Sequence, residues 1–191
     1  MAYQDPHYSK ALGFFRRLLV VISILAVMYF ARPEPVWLAI GALITAMGEA
    51  VRWWAAGHLL KTKELVISGP YRYTRNPLYL GRFLILTGLS VAATMPYRAN
   101  WILLVLGWIF FFGYYLRRKE RVEPARLREF HGEAYDRYFK SVPALFPSFK
   151  AYAATSDLKW SRERMLRNRE HWMVLGLSLA YAFLYWKSLM G

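Results

Sequence analysis

The chain has 191 residues, enough for one domain, and combines 57% hydrophobic residues with a formal net charge of +14. Apolar segments flanked by lysine and arginine explain both values, because the cytoplasmic leaflet of a membrane is anionic. The basic residues cluster at the ends of apolar segments, which argues against a nucleic-acid partner, and the lack of cysteine excludes disulfides and thiolate metal sites.

Five apolar stretches predict membrane-spanning helices, since an open sheet edge cannot be left in lipid. The first ends at an Arg-Pro-Glu-Pro turn, and the third carries Arg82. The sequence therefore predicts an all-α, polytopic membrane protein with about five transmembrane helices and a cytoplasmic cofactor-binding segment. The stretches are residues 12–30, 36–60, 78–95, 101–116 and 172–190.

Lysine and arginine in the loops predict the orientation of the chain. They are concentrated before the first stretch, between the second and third, and after the fourth. These regions fall on one side if the first four stretches cross the membrane. We therefore expect the N-terminus, residues 61–77 and residues 117–171 to face the cytoplasm, in a bacterial or archaeal inner membrane or an endoplasmic reticulum membrane.

The loop before the third stretch reads Leu-Val-Ile-Ser-Gly-Pro-Tyr-Arg-Tyr-Thr-Arg-Asn-Pro-Leu-Tyr-Leu-Gly, residues 65–81. Pro77 suits the first position of a helix, and Asn76 before it is a natural N-cap. A helix N-terminus facing the cytoplasm could bind a carboxylate through its free N–H groups. The alternative is an ordinary capped helix start at the membrane surface.

A charged segment, residues 117–143, follows the fourth stretch. Glu120 and Glu123 are three residues apart and share one helix face, where carboxylates could hold ribose hydroxyls or an ammonium group. The alternative is a salt-bridged polar face. We divide the chain into a core, residues 1–149, and a C-terminal part, residues 150–191, that contains a basic amphipathic connector and the last helix.

Together the two segments resemble the superfamily of isoprenylcysteine carboxyl methyltransferases and phospholipid methyltransferases. Asn76 stands where the prenylcysteine enzymes usually have histidine, and Pro124 where they often have a second glutamate; both are more typical of the phospholipid branch and of short bacterial members. The matching residues are Gly69, Tyr71, Arg75, Pro77, Tyr79 and Gly81, followed by Glu123, Leu127, Gly132, Tyr135, Tyr138, Val142 and Pro143.

The resemblance implies a membrane enzyme that uses S-adenosylmethionine to methylate a lipid-like or prenylated acceptor from the bilayer. Aromatic faces and carboxylates can stabilise a sulfonium cation. The implied cofactor-binding residues are Tyr73, Arg75, Asn76, Pro77, Tyr79, Glu120, Glu123, Tyr135 and Tyr138.

The acceptor remains open between a carboxylate and an amine. A carboxylate could be anchored by Arg117, Arg118 or Lys119, whereas an amine needs a glutamate or tyrosine to take its proton. The implied catalytic residues are Arg75, Arg117, Arg118 and Glu123. We expect membrane lipids as partners and no metal.

Charged residues within the predicted spans need partners, because each is costly in lipid. Glu49 and Arg52 are three residues apart on the second stretch and are predicted to pair; Arg82 could face the active cavity. Two rival interpretations remain: an NADPH-dependent membrane reductase of related fold, and a non-catalytic lipid-binding or adaptor protein.

Overall fold

A computed structural model describes residues 18, 22, 25–60, 65–154, 156 and 158–190, with the backbone alone at residues 122, 123, 125 and 126. Residues 12–24 of the predicted first span, apart from 18 and 22, lie outside the described part of the chain. So does the start of the predicted cytoplasmic loop, residues 61–64. Residues 25–30 are helical.

Every regular element in the described part of the chain is helical, which confirms the all-α prediction. Two 3-10 turns, Gly69–Arg72 and Pro96–Arg98, separate helices, and a π-helical turn, Phe111–Leu116, joins the helix before it directly to the helix after it. The helices are α1 (Pro35–His58), α2 (Pro77–Ala92), α3 (Ala99–Phe110), α4 (Arg117–Ser141), α5 (Arg162–Arg167) and α6 (Glu170–Ser188).

Two helical stretches among the described residues are long and apolar enough to cross a membrane, Pro35–His58 and Pro96–Arg121. The apolar helix Pro77–Ala92 between them is shorter. Large apolar side chains such as Ile102 and Ile109 are exposed on α3, as expected for a surface that contacts lipid. These features indicate a membrane protein, while the number of five spans stays a prediction.

Helices α1 and α2 pack antiparallel through two pairs of glycines. A Cβ atom at Gly41 would lie 2.4 Å from the carbonyl oxygen of Gly88, and one at Gly48 would lie 2.7 Å from that of Gly81. Small residues allow two helix backbones to approach closely in this way. As a result, the end of α1 lies beside the start of α2.

Helix α6 packs along α1 in the opposite direction and provides the partner of Arg52. Glu170 accepts hydrogen bonds from Arg52 Nε at 3.0 Å and from Nη2 at 2.8 Å, and both side chains are buried. Further along, Thr45 and Tyr181 share a hydrogen bond of 2.7 Å. The predicted pairing of Arg52 with Glu49 is wrong, because Glu170 approaches from another helix and meets the guanidinium with both oxygens.

The connector before α6 closes the C-terminal end of α1. Trp160 Nε1 donates to the carbonyl of Trp53 at 3.1 Å, and Arg164 Nε donates to that of Gly57 at 2.8 Å. Asn168 Nδ2 donates to the carbonyl of residue 56 at 3.0 Å. The carbonyl of Gly57 lies in the last turn of α1, where the helix itself has no donor to offer, so the connector supplies one; the other two bonds fasten the connector to the helix.

Helix α4 continues from the π-helical turn and carries most of the charged segment, residues 117–143. It contains Pro124 and breaks its helical geometry at Gly132, where φ is 51°. Tyr135 and Tyr138 follow the break and are buried together with Val142. The start of α4 thereby lies beside the start of α2, while its end packs against the intervening loop.

Candidate functional site

The loop of residues 65–81 and the charged segment of residues 117–143 meet in a group of four side chains, which we call the Arg75–Glu120 cluster: Arg75, Asn76, Lys119 and Glu120. Arg75 and Asn76 come directly before α2, and Lys119 and Glu120 come from the first turn of α4. Arg75 forms an ion pair with Glu120. The sequence prediction that both segments contribute to one place is thus matched by direct contacts between them.

Asn76 occupies the N-cap position of α2, and its carbonyl accepts hydrogen bonds from the N–H groups of Tyr79 and Leu80, both at 3.0 Å. Its side chain makes no capping bond to the helix. Instead, Nδ2 donates to Glu120 Oε1 at 2.7 Å and to the carbonyl of Ala144 at 2.8 Å. The predicted N-cap position is confirmed, but Oδ1, the atom that would accept a capping bond, accepts from Lys119 Nζ, so that the whole side chain links α2 to α4.

Arg75 is held by contacts on three sides. Its backbone N–H donates to the carbonyl of Pro143 at 2.9 Å, and Nη1 donates to that of Phe139 at 2.5 Å. The guanidinium also lies 3.6 Å from the centroid of the Phe139 ring. Its Nε is buried and has no hydrogen-bond partner among the residues that the structure describes. Arg75 is therefore fixed in position and retains one unused donor.

Tyrosines form an aromatic wall next to the cluster. The rings of Tyr79 and Tyr115 stack with their centroids 5.0 Å apart, and Lys119 Nζ lies 4.4 Å from the centroid of Tyr79. Arg82 Nη1 donates to the hydroxyl of Tyr115, and its guanidinium lies 5.4 Å from the Tyr79 ring. Cations thus already pack against this wall, as expected for electron-rich ring faces.

Tyr138 and the backbone around it hold the loop before α2 in place. The Tyr138 hydroxyl donates to the carbonyl of Tyr71 at 2.8 Å, and the N–H groups of Ser148 and Tyr152 donate to the carbonyls of Tyr73 and Arg72, both at 2.9 Å. Burial raises the pKa of Tyr138 far above its ordinary value, so the phenol stays protonated as a donor.

The other predicted site residues lie apart from the cluster or cannot be compared with it. Arg117 and Arg118 have exposed side chains at the start of α4. Tyr73 lies in a separate cleft with Trp54, their ring centroids 6.2 Å apart. The side chain of Glu123 is outside the described atoms. Pro77 is the first residue of α2 and is buried. Tyr135 is buried beside Tyr138.

Sequence reasoning missed Tyr115, Phe139 and the carbonyl of Ala144. Tyr115 lies four residues before Lys119 in a continuous helical segment, so it shares a face with it, and that spacing could have identified it. Phe139 follows the tyrosine pattern of α4 by one position. No sequence signal points to the Ala144 carbonyl, because any residue type offers the same acceptor.

The cluster combines two cations and one carboxylate with aromatic faces. Arg75 and Lys119 can bind a carboxylate, Glu120 can accept from hydroxyl or ammonium groups, and Tyr79 can face a cation. Among the described side chains, no group of three His, Cys, Asp or Glu residues could hold a metal ion. The donor set suits a zwitterionic organic ligand.

Comparison with known proteins supports the resemblance to methyltransferases. A family model described as phospholipid methyltransferase matches residues 36–123, which run from α1 into α4 and include the whole Arg75–Glu120 cluster. The resemblance predicted from the sequence is thereby confirmed at the level of the superfamily.

Two curated bacterial proteins are similar to the chain. The nickel-cobalt-cadmium resistance protein NccN of Alcaligenes xylosoxydans xylosoxydans is 26% identical, over 76% of this chain and 68% of its own. The cobalt-zinc-cadmium resistance protein CzcN of Cupriavidus metallidurans is 28% identical, over 72% of this chain and 65% of its own. The chain therefore spans about two thirds of the length of these relatives. No solved structure matches it.

Proposed function

From the match of residues 36–123 to the phospholipid methyltransferase family model, we propose that the protein transfers a methyl group from S-adenosylmethionine to a membrane-embedded, lipid-like acceptor. The observation that carries the proposal is the joining of Arg75 and Asn76 to Glu120 inside the matched segment. These two parts of the chain are also the ones that carry the superfamily's motifs.

The groups of the Arg75–Glu120 cluster fit the polar parts of S-adenosylmethionine. Arg75 and Lys119 suit its carboxylate, since Arg75 Nε is buried without a partner in the described part of the chain. Glu120 suits the amino group or the ribose hydroxyls, and Tyr79 offers a ring face to the sulfonium. Tyr73, Pro77, Glu123, Tyr135 and Tyr138 remain proposed contributors from the sequence.

S-adenosylmethionine, when bound, supplies a methyl group on a positively charged sulfur, and its transfer to an acceptor leaves a neutral thioether. The chain's task in such an in-line displacement is to hold the two partners in line and to keep water away. Asn76 and Glu120 fix the start of α2 against α4, so that Tyr79 and Lys119 face one another. An amine acceptor loses a proton in the reaction, and a carboxylate acceptor does not.

The packing of the helices supports the proposed five-span topology with the cluster on the cytoplasmic side. Helix α6 has 19 residues, or about 28 Å of helix, enough to accompany α1 across most of a bilayer. It begins at the end of α1 that carries Arg52 and reaches the opposite end, where Lys187 Nζ donates to the carbonyl of Met28 at 3.1 Å.

We further propose that the methylation serves tolerance to divalent transition-metal ions, because both curated relatives are named for such resistance. A methyl ester and a quaternary ammonium group both lack the lone pairs or charge with which carboxylates and amines bind these ions. Deletion of the gene is expected to lower the cadmium or cobalt concentration that halves growth. Unchanged tolerance would remove this role and leave the methyltransferase proposal intact.

The central test is binding of S-adenosylhomocysteine to the purified protein, followed by radiolabelled methyl transfer. We expect Glu120→Ala to weaken binding by about tenfold or more, since a hydrogen bond to a charged group contributes about 1.5–3 kcal/mol. Glu133→Ala is the matched control, because Glu133 pairs only with exposed Arg137, at 3.5 Å.

Methyl transfer is measured into total membrane lipid extract and, separately, into a prenylcysteine analogue. Label in the lipid extract identifies a phospholipid acceptor, and label in the analogue identifies a prenylcysteine-type carboxylate. Binding of NADPH without S-adenosylhomocysteine would instead establish the reductase alternative. Absence of binding to either compound would favour the non-catalytic alternative.

A further inference from the structure

A second cleft lies at the C-terminal end of α1, apart from the Arg75–Glu120 cluster; we call it the α1 cleft. It is bounded by Trp54 and His58 of α1, by Arg72 and Tyr73 of the following loop, and by Lys159 of the connector. Its volume is about 480 Å³, within the range of sites that bind small molecules. Of its lining residues, the proposed methyl transfer assigns a role to Tyr73 alone, and it gives none to Arg72 or Lys159.

The charged and phenolic groups around the α1 cleft are donors that lack a partner. Arg72 uses only Nε, which donates to the carbonyl of Tyr152 at 2.9 Å. The two terminal nitrogens of Arg72, the ammonium of Lys159 and the hydroxyl of Tyr73 have no hydrogen-bond partner in the described part of the chain. Two free cations and a free hydroxyl donor therefore surround one cavity.

The described lining residues include no carboxylate that could neutralise this charge. His58 is already engaged, since its Nδ1 lies 3.1 Å from Ser68 Oγ and 3.1 Å from the carbonyl of Leu158. Among the lining residues that the structure describes, the charge of the α1 cleft thus comes from Arg72 and Lys159. A donor set of this kind recognises an anion with several acceptor oxygens, for which phosphate is the usual match.

The aromatic residues around the α1 cleft indicate its depth in the membrane. Trp53, Trp54 and Trp160 are all exposed and lie at the same end of α1. Tryptophan is enriched at the level of the lipid headgroups, where its ring is partly apolar and its N–H is polar. At this depth, the phosphates of membrane lipids are the most abundant anions.

From these observations we infer that the α1 cleft binds the phosphate of an anionic phospholipid headgroup, with Arg72 and Lys159 as the cations and Tyr73 as a hydroxyl donor. Because Arg72 and Lys159 are both cations, they attract a lipid with net negative charge and repel the ammonium group of a zwitterionic lipid. The cleft therefore prefers lipids with net negative charge. This binding is independent of the methyl transfer and needs no cofactor.

The test is equilibrium binding to the full-length protein in a neutral detergent. The probes are dihexanoyl phosphatidylglycerol, dihexanoyl phosphatidylcholine and inorganic phosphate. We expect phosphatidylglycerol to bind more tightly than either other probe, and each lost cation to weaken binding about fivefold. Lys159→Gln is the first variant, because this side chain is exposed and has no partner in the described part of the chain whose loss could disturb folding. Arg72→Gln is the second variant.

Lys150→Gln is the control. It removes the same charge as Lys159→Gln, but Lys150 is exposed and lies outside the α1 cleft. Equal weakening by Lys159→Gln and Lys150→Gln would show that general surface charge attracts the lipid and would overturn the site. Equal affinity for phosphatidylcholine and phosphatidylglycerol would overturn the anionic preference. Equal affinity for inorganic phosphate and phosphatidylglycerol would overturn the lipid as ligand in favour of a free anion.

Discussion

Two arginine–glutamate pairs hold this molecule together, and they differ in what surrounds them. Arg52 and Glu170 join α1 to α6, with side chains only 6% and 4% exposed, and both carboxylate oxygens bind the same guanidinium. Arg75 and Glu120 join the start of α2 to α4, with side chains 12% and 22% exposed, and Glu120 also binds Asn76. The first carboxylate is used entirely within the pair, whereas the second is shared.

This difference separates a structural pair from a candidate binding site. A buried pair whose groups are all satisfied has nothing to offer a ligand, and its loss affects folding. A half-buried pair beside aromatic faces, with an unused donor on Arg75, can exchange partners with a ligand. The same two residue types therefore serve different purposes because of exposure and unused hydrogen-bonding capacity.

The largest effect is expected from Arg52→Ala, which would leave Glu170 buried without its partner. Removing one member of a buried pair costs about 3–5 kcal/mol. We expect a correspondingly large fall in the stability measured by thermal unfolding in detergent. The double variant Arg52→Met and Glu170→Met should recover most of this loss, because it buries no unpaired charge. A double variant as unstable as Arg52→Ala would contradict the structural interpretation of the pair.

The next largest effect is expected from Gly81→Ala, which tests the helix contact beside Arg52. The new Cβ atom would lie 2.3 Å from Arg52 Cγ and 2.6 Å from the carbonyl oxygen of Gly48. Since the second contact is with backbone, the helices must separate, at a cost of about 3 kcal/mol. Gly107→Ala is the control, because a Cβ there meets nothing within 4 Å. Equal unfolding temperatures for the two variants would contradict the close packing.

Arg75→Lys is expected to act on ligand binding more than on stability. Lysine keeps the charge but cannot bind Glu120, donate to the carbonyl of Phe139 and stack on its ring at the same time. We expect the affinity for S-adenosylhomocysteine to fall about tenfold, or about 1.4 kcal/mol. Titration calorimetry measures this change. A loss of stability with unchanged affinity would make this pair structural, like the first.

The smallest effect is expected from Tyr138→Phe, which removes the hydrogen bond to the carbonyl of Tyr71. Its loss costs about 1 kcal/mol. Burial raises the pKa of Tyr138 above the ordinary value of 10.0. The protonated phenol therefore contributes its full stability below pH 10, and this contribution is lost as the pH rises further, because the unfolded state then releases its proton first. Raising the pH above 10 should therefore lower the unfolding temperature of the variant less than that of the parent.

The sequence predicts the parts of this fold that depend on local signals. Pro35 and Pro77 mark the starts of α1 and α2. The resemblance predicts that Arg75 and Glu123 line one site, since the family pattern contains information about long-range contacts. Glu120 is predicted there only as a neighbour of Glu123. Glu170 as the partner of Arg52 could not be predicted, because the two are 118 residues apart and Glu49 is nearer in the chain.

Side-chain direction is the other property that the sequence leaves open. Asn76 has the right type and position for an N-cap, yet its amide binds Glu120 and Ala144. Tyr73 lies two residues before Arg75 but borders the α1 cleft, away from the cluster. In both cases the choice depends on which tertiary acceptor or cavity is within reach, and one chain's residue pattern does not contain that information.

The contact between α6 and α1 also has a consequence for how the protein is made. During synthesis Arg52 emerges 118 residues ahead of Glu170. The carbonyl of Gly57, at the end of α1, likewise receives hydrogen bonds from Ser161 and Arg164 of the connector. Helix α1 is therefore translated before the groups that pair with Arg52 and with the carbonyl of Gly57. Docking of α6 thus completes the hydrogen bonding of a helix that was translated well before it.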